Sequence, residues 1–204
     1  MAKQQAKKLK GVKFTTPTFR VSFPHLWEPQ QFMKNGKPEG KPKYGITMLF
    51  PNDMDRSEMN KNIAKAAREL FGKDKEQWPE SYRSPWRKGD RKKDLAGYPG
   101  HMYCQAHTLK APGVVDQKRH AIKEEDDALY PGCYARAVVV AKAFENGANA
   151  GVTLYLQHVQ KVADGEAFDG RTNAEDEFED IESDDEEFET DEDDSEDDDE
   201  DMGF

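Results

Sequence analysis

Tyr134-Ala-Arg-Ala-Val-Val-Val-Ala-Lys-Ala-Phe144, then Glu145-Asn-Gly-Ala-Asn-Ala150, then Gly151-Val-Thr-Leu-Tyr-Leu-Gln-His-Val-Gln160: these three consecutive pieces decide the fold class. In the first, Ala135, Ala137, Val139 and Ala141 fall on one side of an extended chain and Tyr134, Arg136 and Lys142 on the other. In the third, Val152, Leu154 and Leu156 oppose Thr153, Tyr155 and Gln157. Period-two alternation in two neighbouring stretches, joined by a piece containing Asn-Gly, reads as a β-hairpin over Tyr134 to Phe144 and Gly151 to Val162. One face of that hairpin is apolar; the other mixes aromatic with basic groups.

Working outward, His101 to Leu109 reads as a third strand and Tyr44 to Phe50 as a fourth. Val12 to Phe23 holds a fifth, with Phe14, Phe19, Val21 and Phe23 alternating with polar residues. Asp55-Arg-Ser-Glu58 has the form of a helix cap with a reciprocal acid, and Met59, Ile63, Ala66, Ala67 and Leu70 follow at helical spacing before Gly72. That predicts one helix, from Arg56 to Phe71, with its apolar stripe in the core. Residues 34–43 form a turn-rich loop with four lysines, among them Lys41 and Lys43. Residues 73–99 lack a period but carry Trp78, Tyr82, Arg83, Trp86, Arg87, Lys88, Arg91, Lys92, Lys93 and Tyr98, a long loop with content. About five short strands and one central helix favour a mainly β fold, a small closed or partly open β-barrel.

The charge is divided along the chain. Its 204 residues hold 30 Lys+Arg and 41 Asp+Glu, a net charge of −11. Yet 21 of the acids lie from Glu175 onward, where there is no Lys or Arg, so the preceding residues carry a surplus of ten positive charges. A run so acidic and so poor in apolar groups cannot offset its own conformational entropy. The expected organisation is a basic flexible arm at 1–13, one folded domain at 14–173 and a disordered acidic tail at 174–204. Two cysteines, Cys104 and Cys133, are too few for a disulfide framework, which points to a reducing cytoplasm. Neither a secretory signal nor an apolar run near the roughly 20 residues of a membrane span is present.

Several chemistries can be weighed against spacing. His101, Cys104 and His107, with His120 and Cys133, resemble a zinc set, but on a strand Cys104 faces away from both histidines and no paired C-x-x-C exists. Cys104 reads better as a buried structural thiol. Gly165-Glu-Ala-Phe-Asp-Gly-Arg-Thr172 approaches a phosphate loop, but Glu166 and Asp169 would repel phosphate and no helix pattern follows. Asp53/Asp55, Asp90/Asp94 and Asp126/Asp127 are the carboxylate pairs a metal-dependent nuclease would need, and each sits in a cap, a turn or among lysines. No cofactor is implied.

The aromatic and basic pattern that remains suits single-stranded nucleic acid, since every base has a π face and every phosphate a charge. Candidate binding residues are Lys41, Lys43, Tyr82, Arg83, Trp86, Arg87, Lys88, Tyr103, Tyr134, Arg136 and Tyr155. The competing reading places Trp78 and Trp86 in the core and the charges on a solvated face.

Four motifs in order, Tyr98-Pro-Gly-His-Met-Tyr103, Ala111-Pro-Gly-Val-Val-Asp116, Tyr130-Pro-Gly-Cys-Tyr-Ala-Arg136, and Val152 through Gln160-Lys-Val-Ala-Asp-Gly-Glu166 to Phe168-Asp-Gly-Arg171, resemble a family of tailed-bacteriophage single-stranded DNA-binding proteins, from about Val12 to Glu177. The resemblance implies an OB-like barrel binding single-stranded DNA without sequence preference in phage replication and recombination, hence a host bacterial cytoplasm. An acidic C-terminus closing in an aromatic, here Asp201-Met-Gly-Phe204, is similarly a habit of replication binding proteins in phages and bacteria, and the apolar Met202 and Phe204 set into the acid suggest an anchor that recruits phage or host replication proteins. The expectation is a non-enzymatic binding protein whose tail competes with DNA. The alternatives are an acidic-tailed chaperone or DNA mimic acting through its tail, and the metal-dependent nuclease. Oligomeric state is left open.

Overall fold

The computed structural model describes residues 9–34 and 36–168. The first eight residues of the basic arm, the whole acidic tail with Met202 and Phe204, and the Asp169 to Thr172 part of the phosphate-loop-like motif lie outside the described residues.

Within the described residues, eleven strands and one α-helix follow in chain order: β1 (Val12–Thr15), β2 (Phe19–Gln30), β3 (Met33–Lys34), β4 (Lys37–Pro38), β5 (Lys43–Pro51), α1 (Ser57–Phe71), β6 (Tyr82–Arg83), β7 (Arg87–Lys88), β8 (His101–Thr108), β9 (Gly113–Val115), β10 (Tyr134–Asn146) and β11 (Asn149–Ala163). The five long strands close into a ring: β2 pairs β5, β5 pairs β8, β8 meets β11, β11 pairs β10, and β10 returns to β2. All these pairings are antiparallel except the short parallel contact between β8 and β11. The fold is mainly β with an OB-like arrangement, as the alternation and the motifs led one to expect.

The ring closes because its inward positions are apolar throughout. Val21, Ile46, Met48, Cys104, Ala106, Ala137, Val139, Leu154 and Leu156 are buried in one core with Phe19 and Phe50, whose rings meet edge to face at 5.7 Å. Helix α1 adds Met59, Ile63, Ala66 and Ala67 to that core, which is the stripe the spacing predicts. Its start differs from the expected cap: Arg56 occupies the cap position, and the Asp55 carboxylate instead accepts the Ser57 backbone N–H at 2.8 Å. Gly11 N–H donates to the Glu69 carboxylate at 3.1 Å, tying the chain before β1 to the helix.

Two departures from the expected strand pattern bear on the site. The β10–β11 hairpin continues through Glu145↔Ala150 and Asn146↔Asn149, so its turn is Gly147-Ala148 rather than six residues; Gly147 supplies the positive φ of 56° that so tight a turn demands. In β2, a register shift between Ser22 and His25 and a φ of 46° at Phe23 turn that ring outward, although alternation groups it with buried Phe19 and Val21.

Candidate nucleic-acid interface

The register of the ring defines its outer face. Gly45, Thr47 and Leu49 of β5 stand opposite His107, Gln105 and Tyr103 of β8, and His107 in turn opposes Tyr155 of β11. The loop before β8 divides this face in two. Tyr98 packs with Leu49 and Tyr103, its ring 5.2 Å from that of Tyr103, and its hydroxyl lies 3.3 Å from Ser22 Oγ. Leu95 and Phe168 complete that cover. The other half stays open. There Gln105 Nε2 donates to Thr47 Oγ1 at 3.2 Å. His107 lies so close to β5 that a Cβ at Gly45 would come within 2.4 Å of its Nδ1.

Three adjoining hollows run across the open half and past the covered one. The first is formed by Phe23, His25, Phe32, Lys41 and Lys43 around Gln105 and His107. The second shares Gln105 and His107 and continues to Thr153, Phe144, Arg83 and Arg87. The third shares Arg83 and Arg87 and ends among Trp86, Lys88, Arg91, Lys92 and Tyr103. Together they make a track whose described lining holds seven Lys or Arg residues and one carboxylate, Glu39. Exposed rings stand along it: Phe32 (64%), Phe23 (47%) and Phe144, with Tyr155 (45%) beside it carrying Lys142 Nζ 5.5 Å above its ring.

The long loop supplies much of this wall because parts of it dock on the ring. β6 pairs parallel to β11 at Ala150 and Gly151, and β7 pairs antiparallel to β8 at Tyr103 and Met102. These contacts set Arg83 and Arg87 beside the track. Arg87 also donates to the Ser84 and Trp86 carbonyls.

The residues singled out from the sequence are thus separated. Lys41, Lys43, Arg83, Arg87 and Lys88 line the track, and Tyr155 stands at its edge. Tyr103 touches the third hollow but is buried (9%) under Tyr98, so it offers no free ring. Trp86 is half-buried: its ring meets Phe50 at 5.3 Å, and its Nε1 donates to Asn60 Oδ1 at 2.9 Å. Tyr82 packs on Trp78 and Phe71 at the end of α1. Tyr134 and Arg136 lie on β10 away from all three hollows; Arg20 sits 5.5 Å over the Tyr134 ring, and Arg136 donates to Gln160 at 2.8 Å. Sequence reasoning misses Phe23, Phe32, His25, His107 and Phe144. A signal for Phe32 is present in the sequence, since it flanks the Pro-, Gly- and Lys-rich segment before β5.

Electrostatics sharpen the first hollow. Burial holds His25 below its ordinary value of 6.5, and burial, then the charges of Lys43 and His25, do the same for His107. Both shifts favour the neutral imidazole. Cys104 points into the core, where burial pushes its thiol up, and among the described residues no three His, Cys, Asp or Glu side chains gather as a metal site. Asp55 and Asp126 each accept a backbone N–H in a local turn, and Asp90 accepts the Gly100 N–H across the loop before β8. What the arrangement can do is hold a polyanion that also carries flat rings.

The family model described as the single-stranded DNA-binding protein of Enterobacter phage Enc34 matches residues 12–189. The chain belongs to that family. Among solved structures, the Enc34 single-stranded DNA-binding protein in complex with single-stranded DNA is 24% identical, with a TM-score of 0.61, covering 80% of this chain and 96% of its own. A second structure of the Enc34 single-stranded DNA-binding protein is 23% identical with a TM-score of 0.57, covering 85% of this chain and 97% of its own. The single-stranded DNA-binding protein gp2.5 of bacteriophage T7 is 17% identical with a TM-score of 0.53, covering 76% and 88%. These likenesses show a shared fold. No curated protein sequence matches the chain. No described helix is long and apolar enough to cross a membrane.

Proposed function

We propose that this member of the Enc34 family binds single-stranded DNA without sequence preference, in phage DNA replication and recombination, along the track between Phe32 and Lys92. The observation that carries the proposal is that track: seven cations and a series of exposed rings on the outer face of an OB-like ring. Lys41, Lys43, Arg83, Arg87 and Lys88 neutralise phosphates, while Phe23, Phe32, Phe144 and Tyr155 offer faces to unpaired bases. Neither role needs a bond to be made or broken, so the chain acts by binding and not by catalysis.

The tail belongs to the same proposal. Its 21 acidic residues imitate the ligand's charge, and a tethered segment acts at an effective concentration of order millimolar. It therefore competes for the cations until DNA displaces it, and the Met202 and Phe204 end then serves as an apolar anchor for a replication protein.

A fluorescence-anisotropy titration with labelled oligo-dT and a duplex of equal length, at several salt concentrations, tests this reading. Single strands should bind more tightly, because stacking needs unpaired bases. Log affinity should fall against log salt by about 0.7 per phosphate neutralised. Equal affinity for duplex or a salt-insensitive constant overturns it, and cleavage of the strand on adding Mg²⁺ or Mn²⁺ would favour the nuclease instead.

A further inference from the structure

The first hollow is walled on one side by a small hairpin. Among the described residues, β3 and β4 pair only with each other, through Met33↔Pro38 and Lys34↔Lys37. Two residues a side is far below what holds a free hairpin in water. The hairpin nevertheless presents Phe32 and Met33, both more than half exposed, and Phe32 faces the same hollow as Phe23. Its position therefore needs another source of order.

Gln31 supplies part of that order. Its Nε2 lies 3.2 Å from the carbonyl oxygens of Phe32, Glu39 and Gly40, so one amide group spans the entry and the exit of the hairpin. The Glu39 backbone N–H closes the same neck by donating to the Phe32 carbonyl at 2.8 Å. A primary amide has two N–H donors and suits this bridging position; a carboxylate of the same shape has none. These bonds are solvent-exposed and contribute little to global stability. Their effect is local: they limit the directions in which Phe32 can point.

We propose that Gln31 is the positioning residue of a base-binding finger, the β3–β4 hairpin, which holds Phe32 against an unpaired base seated in the hollow between Phe32 and Phe23. The occupant follows from the lining. Two rings with Thr47 and Gln105 between them suit a flat heteroaromatic, and Lys41, Lys43 and the two imidazoles in the same lining suit the phosphate attached to it. This rests on the single-stranded DNA reading and adds the residue that makes one subsite of it rigid.

The test is a double-mutant cycle on the full chain, with oligo-dT anisotropy measured over a series of salt concentrations and melting temperatures measured in parallel. Phe32→Ala should weaken binding by about 5- to 150-fold, the worth of one stacked base. Gln31→Ala and Gln31→Glu should each weaken it by about fivefold, the low end of that range, with the salt slope of Gln31→Ala and the melting temperatures unchanged. In the Phe32→Ala background the Gln31→Ala effect should vanish, since there is then no ring to place. Wild-type affinity in Gln31→Ala overturns the inference, and so does a Gln31→Ala loss that persists undiminished without Phe32. A lowered melting temperature that accounts for the loss would make Gln31 merely structural and overturn it too. If the unaltered chain fails to bind oligo-dT, the functional reading falls first and takes this inference with it.

Discussion

At the scale of single residues, three rings that alternation treats alike have different fates. Tyr103, Tyr155 and Tyr134 all stand outward on their strands, yet Tyr103 is covered by Tyr98, Tyr155 is exposed beside the track, and Tyr134 lies elsewhere under Arg20. Tyr155→Ala should therefore lower affinity for oligo-dT by about 1–3 kcal/mol with little change in melting temperature. Tyr103→Ala should do the reverse, costing about 3 kcal/mol of stability while the folded fraction still binds; parallel thermal melts and titrations would separate the two, and a Tyr155 variant that binds normally would remove that ring from the site. The histidines of the first hollow give a second residue-scale prediction. His25 and His107 face Lys41, Lys43 and Glu39 there, and their depressed folded values mean that the native state binds fewer protons than the unfolded chain just below pH 6.5. Their contribution to stability is thus present above pH 6.5 and is lost as pH falls. Affinity for DNA should move the other way, because protonation adds positive charge beside the phosphates. Anisotropy at pH 8 and pH 5.5 should show tighter binding and a steeper salt dependence at the lower value, and the double replacement of His25 and His107 by Ala should abolish the difference.

At the scale of elements, the hairpin and the helix were legible because their signals are local: alternation on both sides of Asn-Gly in one case, an apolar stripe ending at Gly72 in the other. The two-residue strands in the long loop were not. β6 and β7 have no periodicity of their own and exist only because β11 and β8 offer unpaired backbone edges. Gly151 makes one of these contacts possible: a Cβ there would come within 2.4 Å of the Arg83 carbonyl oxygen, a backbone atom that cannot swing aside. Gly151→Ala should detach β6 and carry Arg83 away from the track without opening the ring. The expected reading is a salt slope reduced by about 0.7, one phosphate contact, with a small change in melting temperature. An unchanged slope would show that Arg83 makes no phosphate contact or that β6 does not place it.

At the scale of the whole molecule, the division of charge governs behaviour. The proposed competition rests on attraction between a body with a surplus of ten positive charges and a terminal run with 21 acids, and such attraction is screened over about 10 Å at 0.1 M salt. Deleting residues 175–204 should therefore tighten binding to oligo-dT, and the gain should shrink as salt rises. Removing only Met202 to Phe204 should leave affinity nearly unchanged while a replication protein is lost from pull-downs out of infected host extract. A tail deletion that leaves affinity unchanged at low salt would end the competition idea, whereas the fate of the Met202 to Phe204 variant bears on recruitment alone.

Composition, period and motif order were enough to establish the two charge regimes, the mainly β fold around an apolar inner face, the helix, and the family to which the chain belongs. Those properties are local or additive, so they survive being read one residue at a time. Which rings are free to meet a base was decided only by tertiary structure. Alternation states which side of its own strand a residue takes, but not whether a distant loop lies over that side. Tyr103 and Tyr155 occupy equivalent outward positions, and only the docking of Tyr98 and Phe168 buries the first and leaves the second open. Phe23 shows the complementary case: a single positive φ and a shift of register reversed its side, moving an aromatic that the pattern assigns to the core into the wall of the first hollow.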